Sequence, residues 1–289
     1  MSKHLLGYFI LMMSSGAIRL QKKSRLNIPR FRVINGRDAH ENEYPFVVSL
    51  LMRAKGTEIL LRVCTGSAIN SEFVLTAAHC LIPGIEIVRC GNMTQPPTDT
   101  ALKDRIKCKS KILKQIPHPS YVDDNDIALI QIDPLILQQY GRLEAVDYKS
   151  LLGRAVKYAG YGYFVYNAND EDTFIEQQHK PLQIGEGVIY DASHNYNTGH
   201  RFDSGPLLLI APKCSNIKQH IYSGDSGGPL FVGGRIAGIA AHVHGRALNF
   251  ERSVQVMASF TPVSPYLEWI LFNVKKNAIS STKRKLRVG

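Results

Sequence analysis

Residues 220 to 232 read HIYSGDSGGPLFV, which sets Asp225 and Ser226 between Gly224 and the pair Gly227-Gly228. Glycine is costly to order, so three of them around one acid and one hydroxyl imply a backbone that must turn sharply there. Nucleophilic catalysis supplies a reason. A serine hydroxyl is a weak nucleophile at neutral pH, and it needs a histidine to take its proton and backbone N–H groups to hold the oxyanion that forms. In such an arrangement Ser226 is the nucleophile, and the N–H groups of Gly224 and Ser226 form the oxyanion hole. Two further segments offer partners. VLTAAHC, residues 74 to 80, ends a strand-like run on His79 beside Cys80, and NDIALIQI, residues 125 to 132, sets Asp126 at the head of another.

The elements that must position these residues are short. FVVSLLM, FVLTAA, IEIVRC, DIALIQI, AVKYAGYGYF, EGVIY, PLFV and RIAGIAAHV are β-like runs divided by Gly, Pro, Asn and Asp. That spacing predicts an all-β sandwich or barrel pair and not a βαβ sheet. One helix is expected in SPYLEWILFNVKK, with Ser264 as cap, Pro265 in the first turn, and Leu267, Ile270, Leu271 and Val274 on one face. No solenoid repeat or heptad pattern is present. A chain of 289 residues with 44% hydrophobic content can bury a full core as one large or two small domains.

The ends are of a different character. Lys3 and His4 precede an apolar run from Leu5 to Met13 and the small residues Ser14 to Ala17, the pattern of a secretory signal cleaved near Ala17 and too short to span a bilayer. The net charge of +11 is confined to the termini. Residues 1–32 carry seven of the 35 basic residues and residues 275–289 carry six, with no acid in either, which leaves 22 basic against 24 acidic residues between them. A basic nucleic-acid face on the folded body is therefore not expected. The last fifteen residues read as a solvated, disordered tail.

The hexapeptide GDSGGP, preceded in the chain by VLTAAHC and NDIAL, resembles the trypsin- and chymotrypsin-like serine proteases in motif and in the order His, Asp, Ser. The resemblance covers Val33 to Val274 and implies two antiparallel β-barrels packed face to face, divided near residue 147, with a C-terminal helix. It implies His79 as general base and then general acid, and Asp126 as the group that fixes the imidazole tautomer and stabilises the imidazolium. Asp123 and Asp124 compete for that second role, and Asp126 is preferred because it directly precedes IAL. RVINGRDAHENEYPFVVSL resembles the family's activation site, which implies cleavage after Arg32, a free amine on Val33 and its pairing with Asp225, a buried carboxylate in need of a partner. Residues 18–32 are then a basic propeptide.

Five cysteines in a secreted chain imply bridges and one thiol left over. Cys64 and Cys80 match the family bridge beside the histidine, Cys90 and Cys108 can close a hairpin, and Cys214 lacks an evident partner. Val156 and Val232 stand where two partnered cysteines are often found in the family, and Tyr222 where a pocket-wall cysteine is usual. Ala241 and His242 replace a Ser and a Trp, which removes a hydroxyl from the neighbourhood of Asp126. His220 falls at the base of the implied specificity pocket, where enzymes cutting after Arg or Lys have Asp, and Val243 and Ala258 occupy wall positions. Cleavage after uncharged residues of small or medium size, as in chymotrypsin or elastase, is the expectation. Asn92 in NMT is a glycosylation acceptor. Asn92 also stands where a calcium-loop acid is usual, so neither a metal nor any other cofactor is expected. The implied partners are a protein or peptide substrate and an activating protease that cuts after Arg, with a protein inhibitor as a further candidate and no nucleic acid. The implied location is extracellular. The competing reading is a catalytically silent homologue acting as a binding or cofactor protein.

Overall fold

The computed structural model describes residues 33, 35–53, 56, 60–91, 108–122, 124–162, 181–190, 205–213, 219–222, 224–244 and 257–276. The expected signal and propeptide segments, residues 1–32, together with Asn92, Cys214 and residues 277–289, lie outside the described residues. The strands are β1 (Arg37–Asp38), β2 (Val47–Arg53), β3 (Leu60–Ala68), β4 (Phe73–Thr76), β5 (Ile85–Arg89), β6 (Lys109–Pro117), β7 (Ala128–Ile132), β8 (Ala155–Gly160), β9 (Gln183–Tyr190), β10 (Leu208–Pro212), β11 (Pro229–Val232), β12 (Arg235–His244) and β13 (Met257–Pro262). They pair antiparallel into two closed six-stranded barrels. The first runs β2-β3-β4-β7-β6-β5, and the second runs β8-β9-β10-β13-β12-β11 with β1 added to the edge at β9. Closure leaves neither barrel with a free sheet edge of the kind that invites aggregation.

Simple inside/outside alternation fails in β2, whose first five residues are all buried. One side of β2 lines the first barrel and the other lies against the second, where the Tyr161 hydroxyl donates to the Val47 carbonyl at 3.1 Å. A single apolar cluster crosses this seam, joining Val48, Leu50 and Ile130 to Tyr161, Phe231 and Ile239. Tyr44 stacks on Phe231 at 4.1 Å and Phe46 meets the same ring edge-on at 6.0 Å. The second barrel has its own cluster, which includes Val33, Val156, Tyr158, Leu230, Val232 and Phe260. Strands β8 and β11 pair Tyr158 with Leu230 and Lys157 with Phe231, so the next step of the register sets Val156 opposite Val232. Two buried valines there pack as core.

The expected helix begins as a tight 3₁₀ turn over Ser264–Tyr266, and the α-helix α1 covers 267–276. Ser264 is not its cap; the Ser264 hydroxyl accepts from the Tyr148 N–H at 3.1 Å. The altered phase also moves Leu271 off the buried face. It is 50% exposed, while Ile270 is buried and Leu267, Trp269 and Val274 pack against the core. His118 lies edge-on to both Tyr266 and Trp269 at 5.1 Å, which docks α1 on the first barrel. No helix among the described residues is long and apolar enough to cross a membrane.

Candidate active site

Pairing of β4 with β7 sets Thr76 opposite Ala128. His79, three residues beyond Thr76, and Asp126, two residues before Ala128, therefore leave the same end of the first barrel. His79 lies in a short turn, Ala78–Cys80, that the Cys64–Cys80 bridge fastens to β3 with 6.0 Å between the Cα atoms. The second bridge joins Cys90 to Cys108. The backbone N–H of His79 donates to Asp126 Oδ1 at 2.9 Å, and His79 Nδ1 lies 2.6 Å from Asp126 Oδ2. Burial pushes the Asp126 carboxyl up, but the hydrogen bonds and the nearby charge of His79 outweigh it and hold the group below its ordinary range. Of the rivals, Asp124 makes no such bond and Asp123 lies outside the described residues.

The loop carrying Asp126 is itself anchored. Asn125 adopts a left-handed backbone with φ of 55°, which Asn tolerates better than most residues. Its Nδ2 donates to the Ser120 carbonyl at 3.1 Å, and its Oδ1 accepts from the Tyr266 hydroxyl at 2.8 Å. The first turn of the C-terminal helical segment thus braces the residue next to the carboxylate. Burial pushes the Tyr266 phenol up to about 12, so it remains a donor.

Thr65, on β3, fastens the serine loop to the first barrel. Its N–H donates to the Ser226 carbonyl at 2.8 Å, its hydroxyl donates to the Gly224 carbonyl at 2.9 Å, and the same oxygen accepts from the Tyr161 N–H at 3.1 Å. Gly227 has φ of 79°, and a Cβ there would run into the Thr76 hydroxyl and the Thr65 carbonyl. The loop consequently lies against the strand that leads to His79, with Ser226 partly exposed. No hydrogen bond joins Ser226 Oγ to His79 Nε2 among the described residues; free enzymes often tighten this contact only with substrate bound. The amides divide into two sets. The N–H groups of Asp225, Gly227 and Gly228 donate to Tyr222, Ala240 and Asp225 carbonyls, whereas among the described residues those of Gly224 and Ser226 have no acceptor.

Asp225 is fully buried and accepts from the Gly162 and Tyr222 N–H groups, each at 2.9 Å. A Cβ on Gly160 would strike its carboxylate, and one on Gly185 would strike Tyr158 and the Val33 side chain. Gly185 pairs with Tyr158, two residues before Gly160 on β8. Val33, 2% exposed, and Asp225 therefore lie over rungs two apart on one β8–β9 ladder.

The family model described as Trypsin matches residues 33–270. The chain belongs to the trypsin family. Among curated proteins, mast cell protease 2 of Meriones unguiculatus is 29% identical over 252 residues, covering 85% of this chain and 92% of its own. Chymase of Mus musculus is 28% identical over 254 residues, with coverage of 85% and 92%. Serine protease SP24D of Anopheles gambiae is 25% identical over 248 residues, with coverage of 85% and 82%.

Within this trypsin-family chain the expected pocket residues are brought together in part. Val243 and Ala258 are cross-strand partners on β12 and β13, and Ala258 is buried in the same cluster as Ile221, the neighbour of His220. His220 is half-buried, and burial lowers the pKa of its imidazole. Ala241 is buried at 7%, and among the described residues Asp126 accepts only from His79 in the contacts above. Thr65, Tyr161, Asn125 and Tyr266 escape sequence reasoning because their work is hydrogen bonding across the fold. The only cluster of metal-ligand types among the described residues is Cys64, His79 and Cys80, and both sulfurs are already joined to each other.

Proposed function

We propose that this trypsin-family chain is a secreted serine endopeptidase, made as a zymogen and activated by cleavage after Arg32. The carrying observation is the buried, ionised Asp126 holding His79 by two hydrogen bonds beside a serine loop in which the N–H groups of Gly224 and Ser226 have no acceptor among the described residues. In the reaction Ser226 Oγ attacks the scissile carbonyl carbon and its proton passes to His79, while the oxyanion is held by the N–H groups of Gly224 and Ser226. The C–N bond breaks as His79 returns the proton to the leaving amine, which gives an acyl-enzyme. Water, deprotonated by His79, then releases the acid and restores the serine.

Activation is supported by the placement of buried Val33 and buried Asp225 beside the same β8–β9 ladder, where a new amine at Val33 would pair with that carboxylate. A lowered His220 pKa favours a neutral imidazole, and no acid replaces it, so uncharged side chains are the preferred specificity. The test is hydrolysis of a peptide library by recombinant zymogen cut after Arg32, beside a Ser226→Ala control. Cleavage after uncharged residues that is lost in the control supports the proposal. Absence of cleavage by folded protein with a Val33 N-terminus supports the silent homologue acting as a binding protein.

A further inference from the structure

Strand β8 carries Tyr158 between two cross-strand neighbours, Gly185 on β9 and Leu230 on β11. Gly185 has no side chain to hold the ring off, so the phenol lies across it. A Cβ at Gly185 would strike Cε2 and Cζ of Tyr158 and also Cγ1 of Val33. The ring carbon that bears the hydroxyl and the Val33 side chain thus meet at one point. Two residues further along the same face of β8, Gly160 makes room in the same way for the Asp225 carboxylate. Phe260 flanks the ring at 5.9 Å with a tilt of 50°, and the Tyr158 side chain is 1% exposed. Among the described residues its hydroxyl has no hydrogen bond. A buried hydroxyl without a partner is costly, and its persistence needs a reason. Burial, and then the charges of Asp225 and Glu186, push the phenol up, so it stays protonated and neutral. An amine freed at Val33 would bring three N–H donors and no acceptor into this space. The Asp225 carboxylate offers about four lone-pair sites, of which the Gly162 and Tyr222 N–H groups already take two. At most two remain for three donors.

We infer that Tyr158 is a positioning residue for the new N-terminus, its hydroxyl oxygen accepting a hydrogen bond from the Val33 ammonium while Asp225 carries the ion pair. The inference deepens the zymogen reading and rests on cleavage after Arg32. The test compares wild type with Tyr158→Phe, each uncut and cut after Arg32, by folding equilibrium constants from urea unfolding. Wild type is expected to gain stability on cleavage. A hydrogen bond to a charged group is stronger than one between neutral groups, so the cut Phe protein is expected to lose about tenfold or more in that constant. The uncut Phe protein loses no hydrogen bond and is expected to stay within about twofold of wild type. A cut wild type no more stable than the uncut protein overturns the activation reading and the inference together. A gain on cleavage that Tyr158→Phe keeps in full, or an equal loss in both forms, overturns the inference alone. A second measurement needs no substitution. In protein labelled with carbon-13 at tyrosine Cζ, the NMR signal in contact with the Val33 methyl groups is expected to shift on cleavage, and an unmoved signal also overturns the inference.

Discussion

Replacing Thr65 by Val keeps the shape of the side chain and removes its hydroxyl. The Tyr161 N–H and the Gly224 carbonyl then both lose a partner, at sites where Thr65 is wholly unexposed and Tyr161 is 3% exposed. An orphaned buried donor or acceptor costs about 1–3 kcal/mol, and carbonyls tolerate the loss better than N–H groups. The sum is about 2–4 kcal/mol, a large part of the roughly 5–15 kcal/mol that holds a domain folded. Urea unfolding of the cleaved protein measures it, with Thr65→Ser as the control that keeps both hydrogen bonds. In the proposed mechanism the Gly224 N–H helps to hold the oxyanion, so kcat is expected to fall with little change in KM. A Thr65→Val protein within about 0.5 kcal/mol of wild type, with unchanged kcat, would show that Thr65 does not fasten the loop.

Gly227→Ala places a methyl against the Thr76 hydroxyl and the Thr65 carbonyl at a positive φ, so it is expected to cost more than about 3 kcal/mol, read by urea unfolding. Tyr266→Phe removes the hydrogen bond to Asn125 and should lower stability by about 1 kcal/mol and kcat severalfold with KM unchanged, measured by unfolding and steady-state kinetics. Glu43, gripped by two Arg37 nitrogens at 2.6 and 2.7 Å, has its carboxyl lowered from 4.5 to about 2. Its folded pKa lies below the unfolded value, so its stabilising contribution is complete above pH 4.5 and is lost as pH falls toward 2. Thermal unfolding of Glu43→Gln should accordingly converge on wild type across that window, from a difference of about 1 kcal/mol or less for a partly exposed pair.

Much of the barrel pair is legible in sequence where strands are apolar. FVLTAA and DIALIQI yield β4 and β7, the two strands that deliver His79 and Asp126. Strand β6 is missed because KSKILKQIP puts lysines at 109, 111 and 114 on a strand most of whose residues reach solvent. Strand β3 is missed because buried Arg62 and Gly66 interrupt its apolar run. The helix is found but its face is misjudged at Leu271, since a 3₁₀ start shifts the phase in a way that side-chain spacing does not record. Residue types announce the histidine, carboxylate and serine. They do not announce Thr65, whose hydroxyl joins segments 96 and 159 residues distant, or Tyr266, which reaches back 141 residues to Asn125.

Whether Ser226, His79 and Asp126 act as one nucleophilic unit is tested most directly by treating folded protein, cut after Arg32, with a fluorophosphonate probe and mapping the adduct by mass spectrometry. One adduct per chain on Ser226 is expected, absent in Ser226→Ala and formed about ten-thousandfold more slowly in Asp126→Asn. No adduct on a folded chain that begins at Val33 would contradict the assignment.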